Sequence, residues 1–251
     1  MAAPGRYGDH AHRAGVPVTA GQIAGSYGRV VTEIEPDEHA GHLAADAIAE
    51  GNPTAWFERL YAEANRGQAI VPWDREEPHE VVAEWFRGVQ GDGRRALVVG
   101  CGLGRDAEFV ARLGYATTAF DWAPSAIDAV RRRHAGSSVR YVQADLLDPP
   151  AEWQHAFDFV LESLTVQSLP VSMHGPATAA VRGFVAPGGT LLVVAAGRDD
   201  DAPAGDGPPW PLLLREIDAF AGDGLQRVRV EAISDPAAPA GLRWRAEFRG
   251  P

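Results

Sequence analysis

A glycine-rich turn is the segment of this sequence best suited to chemistry. Gly100, Gly102 and Gly104 follow the apolar run 96–99 and precede a helical pattern. Glycines let the backbone approach a ligand closely, and the N-terminus of a helix offers unpaired N–H groups to a polar ligand. Arg105 occupies the position where a nicotinamide or flavin site requires a further glycine. The turn therefore predicts a polar small-molecule site that is not a dinucleotide site, with a tight structural turn as the alternative.

Two acidic residues follow the next two predicted strands. Asp121 ends the second strand, where a carboxylate can accept both hydroxyls of a ribose. Asp145 follows the third strand, where it can accept from an adenine amino group. Each has a structural alternative, a helix cap before Pro124 for Asp121 and a solvated loop acid for Asp145. Together, at successive strand ends, they predict an adenosine pocket.

The elements that position these residues alternate between strand and helix. A continuous apolar run such as 96–99 is typical of a strand buried on both faces, and successive βα units predict an α/β fold with a parallel sheet. Predicted strands cover 96–99, 116–120, 139–142, 157–161 and 190–195, with helices at 106–113, 124–134, 177–184 and 211–221 and a closing strand pair at 226–232 and 242–248. Further helices are predicted from 37, over 54–65 and over 79–89. We expect a flexible N-terminal tail (1–35), a helical lid segment (36–92) and a core (93–251).

Five segments between about 96 and 195 make the sequence resemble the class I S-adenosylmethionine-dependent methyltransferases. They are Val-Val-Gly-Cys-Gly-Leu-Gly-Arg-Asp, Ala-Phe-Asp-Trp-Ala-Pro-Ser, Gln-Ala-Asp-Leu-Leu-Asp, Phe-Asp-Phe-Val-Leu-Glu-Ser and Val-Ala-Pro-Gly-Gly-Thr-Leu-Leu-Val-Val. The resemblance implies a Rossmann-like, doubly wound, seven-stranded, mostly parallel sheet whose last strand is antiparallel. It implies S-adenosylmethionine as cofactor and S-adenosylhomocysteine as product. The residue roles that it implies are methionine contacts for Gly100, Gly102 and Gly104, a ribose contact for Asp121, and adenine contacts for Trp122, Asp145 and Leu146.

A narrower resemblance, to the thiopurine, thiol and halide methyltransferase group, comes from flanking aromatic segments. Its residues are Trp-Phe-Glu-Arg-Leu-Tyr at 56–61, Val-Pro-Trp-Asp at 71–74 and Asp-Gly-Pro-Pro-Trp at 206–210. By this resemblance Trp56 and Trp73 contact the cofactor, and Trp210 borders the substrate. Tyr61 is a further candidate for a substrate contact, and the aromatic content of this lid indicates an apolar or aromatic substrate. For Trp56 the alternative is the core of an amphipathic helix.

Methyl transfer by in-line displacement needs a base only for some acceptors. A thiol or another soft nucleophile needs none, whereas an aromatic carbon must release a proton. Glu162, directly after the fourth strand, is the candidate base or a cofactor contact, and His174 is a second candidate base, with a position on a solvated loop as the favoured alternative. Gln167 is placed on the substrate side. The alternative function is N- or C-methylation of an indole-like heterocycle in specialised metabolism; a non-catalytic cofactor-binding module is a third interpretation.

Composition limits the partners. The chain has 23 basic residues, all of them Arg, against 34 acidic ones, for a formal charge of −11. Such a surface argues against a nucleic-acid partner, and the missing lysine excludes Schiff-base and P-loop lysine chemistry. The single cysteine excludes an intramolecular disulfide, and no apolar stretch predicts a signal or a membrane span. We expect a cytoplasmic protein, a monomer or homodimer, that acts on a small molecule and has no metal site.

Overall fold

The computed structural model describes residues 35–251, so the predicted tail lies, except for its last residue, outside the described residues. The α-helices are α1 (Pro36–Ala49), α2 (Ala55–Asn65), α3 (Glu80–Trp85), α4 (Arg105–Arg112), α5 (Pro124–Arg133), α6 (Val171–Gly183) and α7 (Leu214–Asp218). The strands are β1 (Arg95–Val99), β2 (Ala116–Asp121), β3 (Arg140–Gln143), β4 (Phe157–Ser163), β5 (Val185–Gly197), β6 (Gln226–Ser234) and β7 (Leu242–Arg249). Short 3₁₀ turns occur at Ala151–Trp153 and Val166–Ser168.

The strands form one seven-stranded sheet in the order β3-β2-β1-β4-β5-β7-β6. The pairs from β3 to β5 are parallel, whereas β7 runs antiparallel between β5 and β6. The predicted fold class is therefore confirmed. In the register of the sheet Val99 pairs with both Phe120 and Glu162. The carboxyl ends of β1, β2 and β4 are thus level, and the segments that follow them meet at one edge.

Alternation of side chains along the buried strands gives the sheet two apolar faces. Leu97 and Val99 of β1 belong to the cluster on one face, and Ala96 and Val98 belong to the cluster on the other. All four are at most 2% exposed. A strand buried on both faces requires such a run of small and branched apolar residues. This rigid sheet positions the loops at its carboxyl edge.

The N-terminal helices divide between two sites of packing. Helices α1 and α2 form a separate apolar cluster with the beginning of α5. Glu58 of α2 accepts hydrogen bonds from the Ser125 N–H (2.9 Å) and the Ser125 hydroxyl (2.7 Å), so α2 caps the N-terminus of α5. Helix α3 instead packs on the sheet through Val81 and Val82. Of the three helices that precede β1 within residues 35–251, α1 and α2, with the segment after them, are therefore placed to cover the carboxyl edge.

Some element boundaries differ from the predicted ones. Helix α3 ends at Trp85 rather than at 89, and α6 begins at Val171, directly after Pro170, rather than at 177. Helix α7 is only five residues long, and the carboxylate of Glu216 accepts the Leu213 N–H at its start. Within residues 35–251, no helix combines the length and the apolar content needed to cross a membrane.

Candidate active site

A cavity of about 460 Å³ opens at the carboxyl edge of β1, β2 and β4. One part is lined by the glycine turn and the acidic strand ends, including Gly100, Gly102, Asp121, Trp122, Asp145 and Leu146. The remainder is lined largely by apolar side chains, including Trp56, Phe57, Tyr61, Trp73, Leu164, Leu169, Met173, Pro208 and Pro209. The cavity therefore brings together the strand-end residues Asp121 and Asp145 and the lid aromatics Trp56, Tyr61 and Trp73.

Asp121 connects the glycine turn to the start of α5. Its Oδ2 accepts the Gly102 N–H at 2.9 Å, and its Oδ1 accepts the Ala123 N–H at 3.0 Å. Burial raises the pKa of Asp121, while these backbone donors oppose the rise. Each oxygen keeps a lone pair for a ligand hydroxyl. Asp121 thus lies in the cavity wall, but it does not cap α5, because the N-cap residue of that helix is Ala123 and no side chain makes a cap bond there.

Tyr61 lies over the glycine turn. Trp73 Nε1 donates a 2.9 Å hydrogen bond to the Tyr61 hydroxyl oxygen. Gly102 has a φ of +51°, and a Cβ added there would lie 2.8 Å from the same oxygen. Burial raises the pKa of Tyr61 well above its usual value, and the neighbouring Asp121 adds to the rise. The hydroxyl therefore keeps its proton and can donate it to a ligand at the turn, whereas the sequence placed Tyr61 at the substrate.

Gly104 does not line the cavity. Its φ is +88°, and a Cβ added there would lie 2.6 Å from both the Tyr141 hydroxyl and Val130 Cγ2. The absence of a side chain at this position lets the start of α4 pack against α5 and β3. The predicted methionine contact by Gly104 is thus replaced by a packing role, while Gly100 and Gly102 face the cavity.

The three residues predicted around adenine all line the cavity. Asp145 is exposed, and its Oδ1 accepts the Leu147 N–H at 2.8 Å, which leaves Oδ2 available. Leu146 is buried, and Trp122 is partly buried. Their assignment to adenine stays a prediction.

Glu162 is not placed to act as a base or a cofactor contact. It is fully buried and is not among the residues that line the cavity. Its Oε1 accepts the N–H groups of Thr165 (2.8 Å) and Val166 (2.9 Å), whereas Oε2 has no partner within residues 35–251. Burial raises the pKa of Glu162 to about 7. The side chain stabilises the turn after β4. Its position at a strand end does not show, from sequence alone, that it faces this turn rather than the cavity.

The segment 163–169, here called the β4 strap, forms a wall of the cavity of which the sequence predicted only Gln167. Leu164 adopts a φ of +63°, an uncommon conformation for a branched residue. The Thr165 hydroxyl donates to the Val99 carbonyl at 3.0 Å, and the Thr165 side chain covers Gly100. The strap presents Ser163, Leu164 and further residues to the cavity. Contacts with Glu162 and with β5 determine the conformation of this strap, so no local sequence motif indicates it.

His174 is buried in α6 and does not line the cavity, so neither the catalytic role nor the solvated loop describes it. Its Nδ1 lies 2.7 Å from Glu216 Oε1, and its Nε2 lies 2.9 Å from the Leu169 carbonyl oxygen. These bonds join the end of the β4 strap to α7. Met173, the preceding residue, faces the cavity instead.

Trp210 is buried behind the cavity wall rather than on it. The backbone N–H of Trp210 donates to the backbone carbonyl oxygen of Gln167 at 2.7 Å. The two prolines before Trp210 line the cavity. The predicted substrate contact by Trp210 therefore becomes support for Gln167, which does line the cavity. The Gln167 Oε1 accepts the Ala196 N–H of β5.

Known proteins resemble this chain in sequence and in fold. Residues 96–189 match the family described as a methyltransferase domain. The chain is 26% identical over 205 residues to the 2-heptyl-1-hydroxyquinolin-4(1H)-one methyltransferase of Mycobacteroides abscessus, a match that covers 76% of this chain and 88% of that protein. It is 30% identical over 169 residues to the fatty-acid O-methyltransferase of Mycolicibacterium smegmatis, which covers 64% of this chain and 61% of that protein.

Among solved structures, the N-methyltransferase NodS of Bradyrhizobium japonicum WM9 in complex with S-adenosyl-l-homocysteine has a TM-score of 0.57 at 18% identity. That match covers 84% of this chain and 96% of the NodS chain. With the fold and the matched domain, the chain is a methyltransferase that uses S-adenosylmethionine. The thiopurine, thiol and halide subgroup stays a prediction.

Proposed function

We propose that this chain transfers the methyl group of S-adenosylmethionine to a small, largely apolar or aromatic acceptor. The observation that carries the proposal is that one continuous cavity of about 460 Å³ is lined both by the glycine turn, which is hydrogen-bonded to Asp121, and by an apolar wall. The two curated relatives are named for a hydroxyquinolinone and for fatty acids, both of them small molecules with an apolar part. Such a cavity is large enough for a small ligand rather than a polymer.

The cofactor fits the polar part of the cavity. Asp121 offers two carboxylate oxygens for the ribose, and the bare backbone of Gly100 and Gly102 allows a close approach by the methionine part. The hydroxyl of Tyr61 adds a donor at the turn. The adenine would lie by Trp122, Asp145 and Leu146, with Trp56 and Trp73 on the lid side.

The reaction is an in-line displacement at a methyl carbon. The cofactor supplies a methyl group on a positively charged sulfonium, and the bond from sulfur to that carbon breaks as the bond from the acceptor forms. The protein contributes position and a dry cavity, because a nucleophile held in line and stripped of water reacts faster. In our proposal α1, α2 and the segment 69–74 are the lid that excludes water. The proton of the acceptor is lost to bulk water, outside the closed cavity.

The wall around the β4 strap favours an acceptor that ionises without help. The residues of 163–169, Met173 and the prolines 208–209 include no ionisable side chain. Glu162 and His174 are both engaged outside the cavity. A thiol or another soft, acidic nucleophile meets this condition, as the narrower resemblance implies. A heterocycle is the second candidate, favoured by the hydroxyquinolinone relative.

The test is to incubate the protein with S-adenosylmethionine and panels of thiols, acidic hydroxyl compounds, amines and aromatic heterocycles, and to follow S-adenosylhomocysteine release. We expect turnover with at least one panel of apolar members and at least a tenfold lower kcat/KM in Asp121→Asn. The matched control is Asn52→Asp, an exposed position, which should leave turnover unchanged. Turnover confined to polar, aliphatic amines would contradict the proposal.

A further inference from the structure

Gln167 carries a polar group that the protein does not use. The residue is 5% exposed and lies in the 3₁₀ turn Val166–Ser168 of the β4 strap. Because the Ala196 N–H is a donor, the oxygen of the carboxamide must face it, which fixes which end of the side chain is the amide nitrogen. Within residues 35–251 the only side-chain hydrogen bond of Gln167 is the one at Oε1, so the two N–H donors of Nε2 have no partner there. Gln167 also lines the cavity.

Gln167 is held through both its side chain and its main chain. Its side-chain Oε1 accepts the Ala196 N–H of β5, and its backbone carbonyl oxygen accepts the backbone N–H of Trp210 at 2.7 Å. Leu169, two residues further along the strap, has its carbonyl oxygen bonded to His174. A donor on a side chain held in this way recognises a partner atom at one place, with less side-chain entropy left to lose.

The surroundings of this donor are largely apolar, although the hydroxyl side chains of Ser163, Thr165 and Ser168 also line the cavity. The nearby parts of the strap and the opposing loop contribute Leu164, Leu169, Pro208 and Pro209 to the cavity. A polar group in such surroundings costs free energy unless a ligand or water satisfies it, and a donor can be satisfied only by an accepting atom. An ammonium or another pure donor placed there would meet N–H groups instead.

Building on the proposed function, we infer that Gln167 is a specificity-determining residue that donates a hydrogen bond to an oxygen of the acceptor. The acceptor is then an apolar molecule with a carbonyl, carboxylate or phenolate-type oxygen, rather than an apolar amine. The bond holds the acceptor at a fixed distance from the cofactor, and it also rejects cationic acceptors, because a site built to donate leaves an ill-matched ligand unpaired.

The inference is tested by binding, with chain saturated by S-adenosylhomocysteine so that no turnover is needed. Two matched ligand pairs are titrated by calorimetry or ligand-observed NMR, 1-tetralone against 1-aminotetralin and octanoate against octylamine. We expect the oxygen-bearing member of each pair to bind about tenfold tighter, the factor that about 1.4 kcal/mol provides. Gln167→Glu keeps an acceptor for Ala196 but replaces the donor by a negative charge, so it should cancel or invert the preference.

The control is Gln226→Glu, which makes the same change at an exposed position of β6 and should keep the wild-type preference. Gln167→Met, which removes the donor without adding charge, should lose the preference without inverting it, and serves if Gln167→Glu fails to fold. Equal affinity within both pairs in the wild type, or a preference that survives both Gln167 substitutions, overturns the inference. Failure of S-adenosylhomocysteine itself to bind would instead refute the proposed function.

Discussion

Replacement of Glu162 by Gln should change how the stability of the protein depends on pH. The Glu162 carboxyl is fully buried, and burial raises its pKa from 4.5 to about 7. Below about pH 4.5 the group is protonated in both the folded and the unfolded chain, so it imposes no penalty. As pH rises towards 7 the unfolded chain ionises while the folded one stays protonated, and stability is lost. Above about 7 the loss is complete.

The size of this loss follows from the two pKa values. A shift from 4.5 to about 7 corresponds to about 3 kcal/mol, of which about 2 to 3 kcal/mol accrues between pH 5 and pH 8. Glu162→Gln keeps an oxygen that accepts the Thr165 and Val166 N–H groups but has no charge to bury. The stability of the variant relative to the wild type should therefore rise by about that amount over this range.

The assay is urea denaturation of both proteins at pH 5, 6, 7 and 8. The matched control is Glu152→Gln, an exposed glutamate, whose stability relative to the wild type should vary with pH by less than about 0.5 kcal/mol. A flat difference between Glu162→Gln and the wild type would show that Glu162 titrates as an ordinary carboxyl. It would refute the assignment of this side chain as a buried brace of the β4 strap.

Three further predictions concern the cofactor end and the lid. Asp121→Asn places an amide donor against one of two backbone donors, and we expect the Kd for S-adenosylhomocysteine to rise at least tenfold, as measured by calorimetry. Gly102→Ala forces a Cβ to within 2.8 Å of the Tyr61 hydroxyl at a φ of +51°, so binding should weaken and the thermal midpoint should fall; an unchanged midpoint would contradict the packing of Tyr61 on the turn. Glu58→Ala removes the cap of α5 at Ser125 and should lower the free energy of unfolding by about 1 kcal/mol in urea titrations, whereas no change would argue against a docked α2.

The sequence was informative where one element is enough to place a residue. Gly100 directly follows β1, whose apolar run is continuous, Asp121 is the last residue of β2, and Asp145 comes two residues after β3. Parallel strands bring these carboxyl ends to one edge. The resemblance predicted seven strands with the last one antiparallel, but it gave no strand order, so the position of β7 between β5 and β6 was not predicted.

The sequence was uninformative where tertiary contacts decide orientation. Glu162 stands at a strand end as Asp121 does, yet its side chain turns inward because two backbone N–H groups of the following turn bind it. Trp210 and Gly104 fit family motifs, but the backbone bond between Trp210 and Gln167 and the packing of Tyr141 and Val130 around Gly104 keep both residues off the cavity wall. Periodicity carries no information on such contacts between distant segments. Gln167 was placed correctly on the cavity side, but its free amide depends on the pairing with Ala196 in β5.

The most direct test of this account is calorimetric titration of the protein with S-adenosylhomocysteine and, separately, with NADH. The cavity braced by Asp121, with Arg105 where a dinucleotide site needs glycine, predicts one S-adenosylhomocysteine bound per chain and no measurable binding of NADH. Tight binding of NADH, or no heat with S-adenosylhomocysteine from a protein shown to be folded, would contradict it.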